Sequence, residues 1–219
     1  MVEILHPSRR AVELLLWCGI GSAIAYIGTD LVAAAWSSDY SFANQAVSEL
    51  FAIDAPTSHF VVLLFSFSSL LLLGFAAGLN ALSVHDRPLR WMAGMFTGSA
   101  IISLVLWNAF PMHLRGSARS FTDTMHLILA TNPFVLATLA LGILAFRGWF
   151  RSFSIATLLV VLVLAIYAFR FAPALNAGLP TPGMGLTERA AQYCYQAWQA
   201  ALALLLLGRS RVGELRSAH

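Results

Sequence analysis

The chain has 219 residues, of which 59% are apolar and only 11% charged, where an average soluble domain is about 25% charged. That length allows one or two soluble domains, but no stretch is polar enough to form one, and a single membrane-embedded unit is expected. The net charge of +3 rests on 13 basic residues, all Arg, scattered singly at the ends of apolar runs rather than gathered on one face, which excludes a nucleic-acid partner.

Six apolar runs predict an all-α, polytopic membrane protein, a bundle of six transmembrane helices. They cover about residues 12–36, 60–84, 91–110, 124–146, 154–171 and 187–207, each about 18–25 residues, the length needed to cross the hydrocarbon. Helices are required because lipid offers no partner to an open backbone group. The first run is read as a span and not as a cleaved signal. Its Ala33-Ala34-Ala35 triplet could pass for a cleavage site, but the apolar stretch before it is long for a signal peptide.

Arginine sets the expected orientation. Nine lie at the N-terminus, the 2–3 turn, the 4–5 turn and the C-terminus (the last with Arg209, Arg211 and Arg216), and the other four are Arg115, Arg119, Arg170 and Arg189. Positive-inside bias then places both termini in the cytoplasm, with the chain in the cell's inner (plasma) membrane. Cys18 and Cys194 fall at different depths, about 10 Å apart along the membrane normal. They are expected to be free, buried thiols.

Two small-xxx-small spacings, Gly74 with Gly78 and Gly94 with Gly98, predict close helix contact. They suggest a tight hairpin of spans 2 and 3, or glycine-lined faces for a membrane-protein partner. Pro133 after Asn132 is expected to kink span 4 near mid-membrane.

Most of the chemistry-bearing residues lie on the three connections of the outer side. In the first, Phe42, Val47, Leu50 and Phe51 share one helical face, with Asn44, Ser48 and Glu49 on another, so a short interfacial helix is expected. In the second, Thr122 or Asp123 is a candidate N-cap for span 4. Asp123 and His126 are three apart, neighbours on one face, and Arg115 and Arg119 suit a lipid phosphate. In the third, Thr187 is a candidate cap for span 6, and Glu188 complements the helix N-terminus. Asp30 and Arg170, late in spans 1 and 5, are costly in the outer leaflet and call for a partner or a wet cavity.

The expected ligand-binding set is therefore Ser48 and Glu49, His113 and Arg115, Asp123 and His126, and Glu188 and Arg189. It forms a polar pocket for a lipid headgroup or a small amphipathic ligand. His59, His113 and His126 beside carboxylates suit zinc, but no compact ligand motif is present. No metal and no other cofactor is expected. Ser48 as a nucleophile lacks a G-x-S-x-G elbow. Two alternatives stand beside binding. One is an intramembrane enzyme on a lipid or isoprenoid, with His126 as acid or base and Asp123 or Glu49 orienting it. The other is an accessory subunit of a membrane complex.

Three segments, YSFANQAVSELFA (40–52), FPMHLRGSARSFTDTMHLILA (110–130) and GLTERAAQYCYQAW (185–198), resemble in order and spacing the bacterial and archaeal membrane family called domain of unknown function 998. The resemblance covers nearly the whole chain and implies a six-helix integral membrane protein without an assigned reaction. In that family an Asp often follows Phe-Pro-Met, where this chain has His113.

Overall fold

The computed structural model describes the backbone of residues 8–217 and the side chains through Arg209. Arg211 and Arg216, counted above for orientation, lie outside the described side chains. Helix α1 spans Arg9–Trp36, with Ser8 accepting from the Ala11 amide as its N-cap. A short 3-10 helix at Val47–Phe51 follows, then α2 (Ser58–Leu82). α3 (Arg87–Ile101) opens on an Asp86 cap with Pro88 in its first turn, a position where proline costs no hydrogen bond. It passes through a π-turn (Ile102–Leu106) into α4 (Trp107–Ala109). Next come α5 (Phe121–Ala130), α6 (Pro133–Ala145), α7 (Trp149–Phe169), the short α8 (Ala172–Asn176) and the long α9 (Met184–Ser217). No strand forms among the described residues, where the one isolated bridge pairs Ile53 with His113.

Five helical segments are long and apolar enough to cross a membrane: Arg9–Trp36, Ser58–Leu82, Arg87–Ala109, Phe121–Ala145 and Trp149–Asn176. Large apolar side chains such as Leu14, Ile24, Leu63, Leu144 and Ile166 stand exposed on their outer faces. Water would penalise that surface, at about 25 cal/mol per Å², and acyl chains would not. The chain is a multi-pass membrane protein by this pattern.

The main core joins α1, α2, α3, α6, α7 and α9. Leu16, Phe75, Phe96, Leu139, Phe150 and Trp198 are fully buried within it. Trp198 donates its indole N–H to Ser154 Oγ at 2.9 Å, so the largest core ring carries no orphaned donor.

The glycine motifs pack differently from the expected hairpin. A Cβ on Gly74 would meet Cys18, and one on Gly78 would meet Leu15, so this pair seats α2 on α1. Gly98 lies against the Phe134 ring of α6, and Gly94 has nothing within 4 Å. α2 and α3 are neighbours, but not through facing glycines.

The kink expected at Pro133 is a full break. Asn132 takes a positive φ of 24°, α5 ends at Ala130, and α6 starts at Pro133. The lost N–H and the ring of proline prevent continuation. The cap of α5 is Ser120, not Thr122 or Asp123. Its Oγ accepts from the Asp123 amide while the Asp123 carboxylate accepts from the Ser120 amide, a reciprocal capping box. Thr187 is likewise not a cap, because α9 already begins at Met184. The interfacial helix expected at Phe42–Phe51 is shorter and buried: Val47, Glu49, Leu50 and Phe51 are all inside.

Candidate functional site

The three connections meet at one end of the bundle. Ile53 donates its amide to the Met112 carbonyl at 2.8 Å, tying the first to the second. The Val47 amide donates to Glu188 at 3.1 Å, tying the first to α9. Two ion pairs complete the junction.

The first is Asp30 with Arg189. Arg189 is 2% exposed and Asp30 0%. The guanidinium forks onto the carboxylate, Nε to Oδ2 at 2.9 Å and Nη2 to Oδ1 at 2.8 Å. Nη2 also donates to the Tyr40 hydroxyl, and Nη1 to the carbonyls of Phe42 and Gln45. Tyr193 gives a further hydrogen bond to Asp30. All five N–H groups of Arg189 are engaged, so its role is internal. It ties α1, the first connection and α9 together. Burial, the largest influence, pushes the Tyr40 phenol above its ordinary value, against the pull of Arg189. Tyr40 therefore keeps its proton, which it donates to the Gln45 and Ala46 carbonyls.

The second is Glu49 with Arg115, at 3.1 Å from Nε and 2.8 Å from Nη2. Glu49 also accepts from the Ala46 amide and the Gln45 side chain. Arg115 reaches on to the Leu179 carbonyl and the Thr181 hydroxyl. Thr181 in turn donates to the Asn44 carbonyl at 2.6 Å. This pair stitches all three connections together.

Under these ties lies a cavity of about 150 Å³. Of the eight expected residues, Ser48, His113, Arg115, Asp123, His126 and Glu188 line it. Glu49 and Arg189 stand behind the wall, each committed to its ion pair. Arg119 lines the cavity as well and is exposed.

Asp123 and His126 share a helix face, as their spacing requires, but do not bond. Asp123 accepts from the His113 amide at 2.7 Å and sits 3.0 Å from His113 Nδ1. Its other partners are the Ser120 amide and hydroxyl. His113 is thus held by the Asp123 carboxylate, ten positions further along the chain.

His126 is 3% exposed and packs against the rings of Phe51 and Trp107 at centroid distances of 5.8 and 5.7 Å, those two rings also stacking on each other at 5.9 Å. Its Nδ1 is 2.9 Å from the Phe110 carbonyl. A carbonyl only accepts, so Nδ1 carries the proton, and Nε2 of the neutral ring is left as an acceptor. Among the described residues no hydrogen bond reaches Nε2. Glu188 has one side-chain hydrogen bond and no ion pair there. The site therefore offers two acceptors, His126 Nε2 and Glu188, with the Arg119 guanidinium also on its lining.

His59 does not line this cavity, and among the described residues no group of three or more His, Cys, Asp or Glu is placed to hold a metal ion. Cys18 and Cys194 are free. Arg170, expected to need a partner, lies 3.7 Å above the Tyr167 ring.

Sequence reasoning did not identify Tyr40, Tyr193 or Thr181 as parts of the junction. Asp30 was marked by its cost in a span, but nothing in one sequence names Arg189 as its partner.

A search of curated proteins and a search of solved structures each gave no match to the chain. Residues 20–205 match the family described as Protein of unknown function (DUF998), and the chain belongs to that family.

Proposed function

We propose that this protein crosses the plasma membrane six times, with both termini cytoplasmic, and binds a lipid headgroup or small amphipathic ligand in the cavity at its outer end. Taking α9 as the sixth span is supported by its 34 residues, about 50 Å of helix at 1.5 Å per residue, and by its buried Trp198, Leu202 and Leu206. Between Met184 and Leu207 its apolar run is interrupted by Arg189, Gln192, Gln196 and Gln199, which are buried or line a cavity. The nine-to-four arginine distribution supports the orientation.

The observation that carries the ligand reading is His126. A buried imidazole with its Nδ1 proton fixed by a backbone carbonyl has an acceptor at Nε2 that no group among the described residues meets. On the lining of the same cavity, Glu188 accepts a single bond. A ligand that fits must bring donors, an amine or hydroxyl, to these two groups. An anionic oxygen then finds Arg119. Phosphoethanolamine and phosphoglycerol headgroups have this arrangement. Catalysis on a lipid is less well supported, because Asp123 and Glu49, the carboxylates that would orient His126, bond elsewhere. Partner packing has only Gly94 as an uncovered glycine of the two motifs.

The test is thermal stability of the full chain in detergent, titrated with phosphatidylethanolamine, phosphatidylglycerol and phosphatidic acid. The first two should raise Tm more than the third, which has the phosphate but no donor beyond it. Glu188→Gln, which keeps the bond to Val47, and His126→Gln should each reduce that gain. Equal shifts in all three lipids, or variants that respond like wild type, would overturn the reading.

A further inference from the structure

A second and larger cavity, of about 470 Å³, lies deeper among the helices, within the size range of small-molecule sites. It shares Tyr26, Trp107 and Gln192 with the outer cavity as common walls. No Asp, Glu, Arg or His lines it among the described residues. Its polar groups are hydroxyls and carboxamides, set among apolar side chains such as Phe65, Leu72 and Val161.

Several independent features converge there. The π-turn of Ile102–Leu106 presents Ser103 to the cavity, and the break at Thr131–Asn132 lies on its wall. Irregular backbone at membrane depth persists where it lines a cavity or is buried in protein, and π-turns recur at functional sites. Along α9, Glu188, Gln192, Gln196 and Gln199 follow at spacings of four, four and three, one face of a helix. Gln192, Gln196 and Gln199 line the inner cavity, and Glu188 the outer one. Gln199 donates its Nε2 to the Gly19 carbonyl at 2.9 Å. Gln196 is 8% exposed, and its Oε1 is buried without a hydrogen-bond partner. Trp107 lines the same cavity, and its Nε1–H is also buried and without a partner. Most buried polar atoms in proteins are paired. Here one acceptor lacks a donor and one donor lacks an acceptor, on two elements lining the same space.

We infer that the inner cavity is a second binding site, for an uncharged amphiphile with a hydroxyl group. A hydroxyl both donates and accepts, which complements Gln196 Oε1 and Trp107 Nε1. The absence of charge on the lining disfavours an ionised headgroup, since nothing there would repay its desolvation. The apolar side chains of the wall take the hydrocarbon part. The two cavities adjoin through seven shared lining residues, but this inference uses neither His126 nor Glu188 and stands if the headgroup reading fails.

The test uses the full chain in phosphatidylcholine nanodiscs and three photoreactive probes of equal length, each with an aliphatic diazirine: a long-chain alcohol, the matching fatty acid and the matching alkane. Adducts are mapped by mass spectrometry. The alcohol should label stretches 99–107 and 191–199, the acid and alkane about tenfold less, the difference expected for one lost hydrogen bond to a buried group. Unlabelled 1-decanol should compete. Gln196→Leu with Trp107→Phe should cut alcohol labelling by a similar factor without lowering Tm, because it removes two unpaired polar atoms. Glu188→Gln and His126→Gln should leave it unchanged. Labelling confined to outer faces such as Leu144 and Leu63, equal labelling by the alkane, failure of 1-decanol to compete, or unchanged labelling of the double variant would overturn the inference.

Discussion

A carboxylate among apolar helices costs several kcal/mol unless a cation and hydrogen bonds meet it. Asp30 is met by both Arg189 nitrogens of the fork and by Tyr193. Removing one member leaves the other charge buried and alone, so Asp30→Asn or Arg189→Met should each cost about 3–5 kcal/mol of unfolding free energy. Asp30→Asn combined with Arg189→Met should cost less than the two single losses added together. Equilibrium unfolding in mixed micelles measures both, and additive losses would show that the two residues are not coupled. His126 is the opposite case. Its neighbours Phe51, Trp107 and Phe110 fix the ring and leave one nitrogen free, an arrangement that stabilises nothing further until a donor arrives.

Among the elements, the glycines separate by what they touch. A methyl on Gly78 would sit 3.0 Å from Leu15 Cβ and 3.2 Å from the Leu15 carbonyl carbon. The backbone of α1 would have to move away from α2. Gly78→Ala should therefore lower Tm, by an overpacking cost of about 1–3 kcal/mol. Gly94→Ala meets nothing within 4 Å and should be neutral or add up to about 1 kcal/mol through helix propensity. Parallel thermal melts of the two variants check this, and equal effects would mean that the α1–α2 contact does not depend on Gly78. The spacing of small residues was legible in the sequence; which helix each pair faces was not. Two glycines four apart mark a face that permits close approach, whereas the partner depends on how the remaining helices fill the space around it. A distortion at Pro133 was legible because proline lacks the N–H whatever surrounds it, although a kink was expected and a full break is found. The π-turn before Trp107 was not, since no residue type enforces one.

At the scale of the whole molecule, the three connections form a woven cover at one end of the bundle, and the proposed orientation places that cover outside the cell. In a Cys18→Ala/Cys194→Ala background, Ser117→Cys on the second connection should react with a membrane-impermeant maleimide in intact cells. His85→Cys, in the turn between α2 and α3, should react only after the cells are opened. The reverse pattern would invert the topology and with it the side from which the outer cavity takes a ligand. Loss of the Glu49–Arg115 tie bears on the same cover, because that one pair reaches all three connections.

By itself the sequence determined the solvent, the element type and the end at which polar groups gather. Runs of about 20 apolar residues have to be helical in lipid, and charged side chains have to collect where the runs stop. Only the tertiary structure decided which of those side chains hold the protein together and which face open space. Glu49 and Arg189 look no different in sequence from His126 and Glu188, yet the first two are spent on partners 66 and 159 positions away. The inner cavity was hidden for the same reason. An empty volume is a property of how six core helices fail to fill the space between them, and the Gln stripe of α9 acquires its meaning only from what stands opposite.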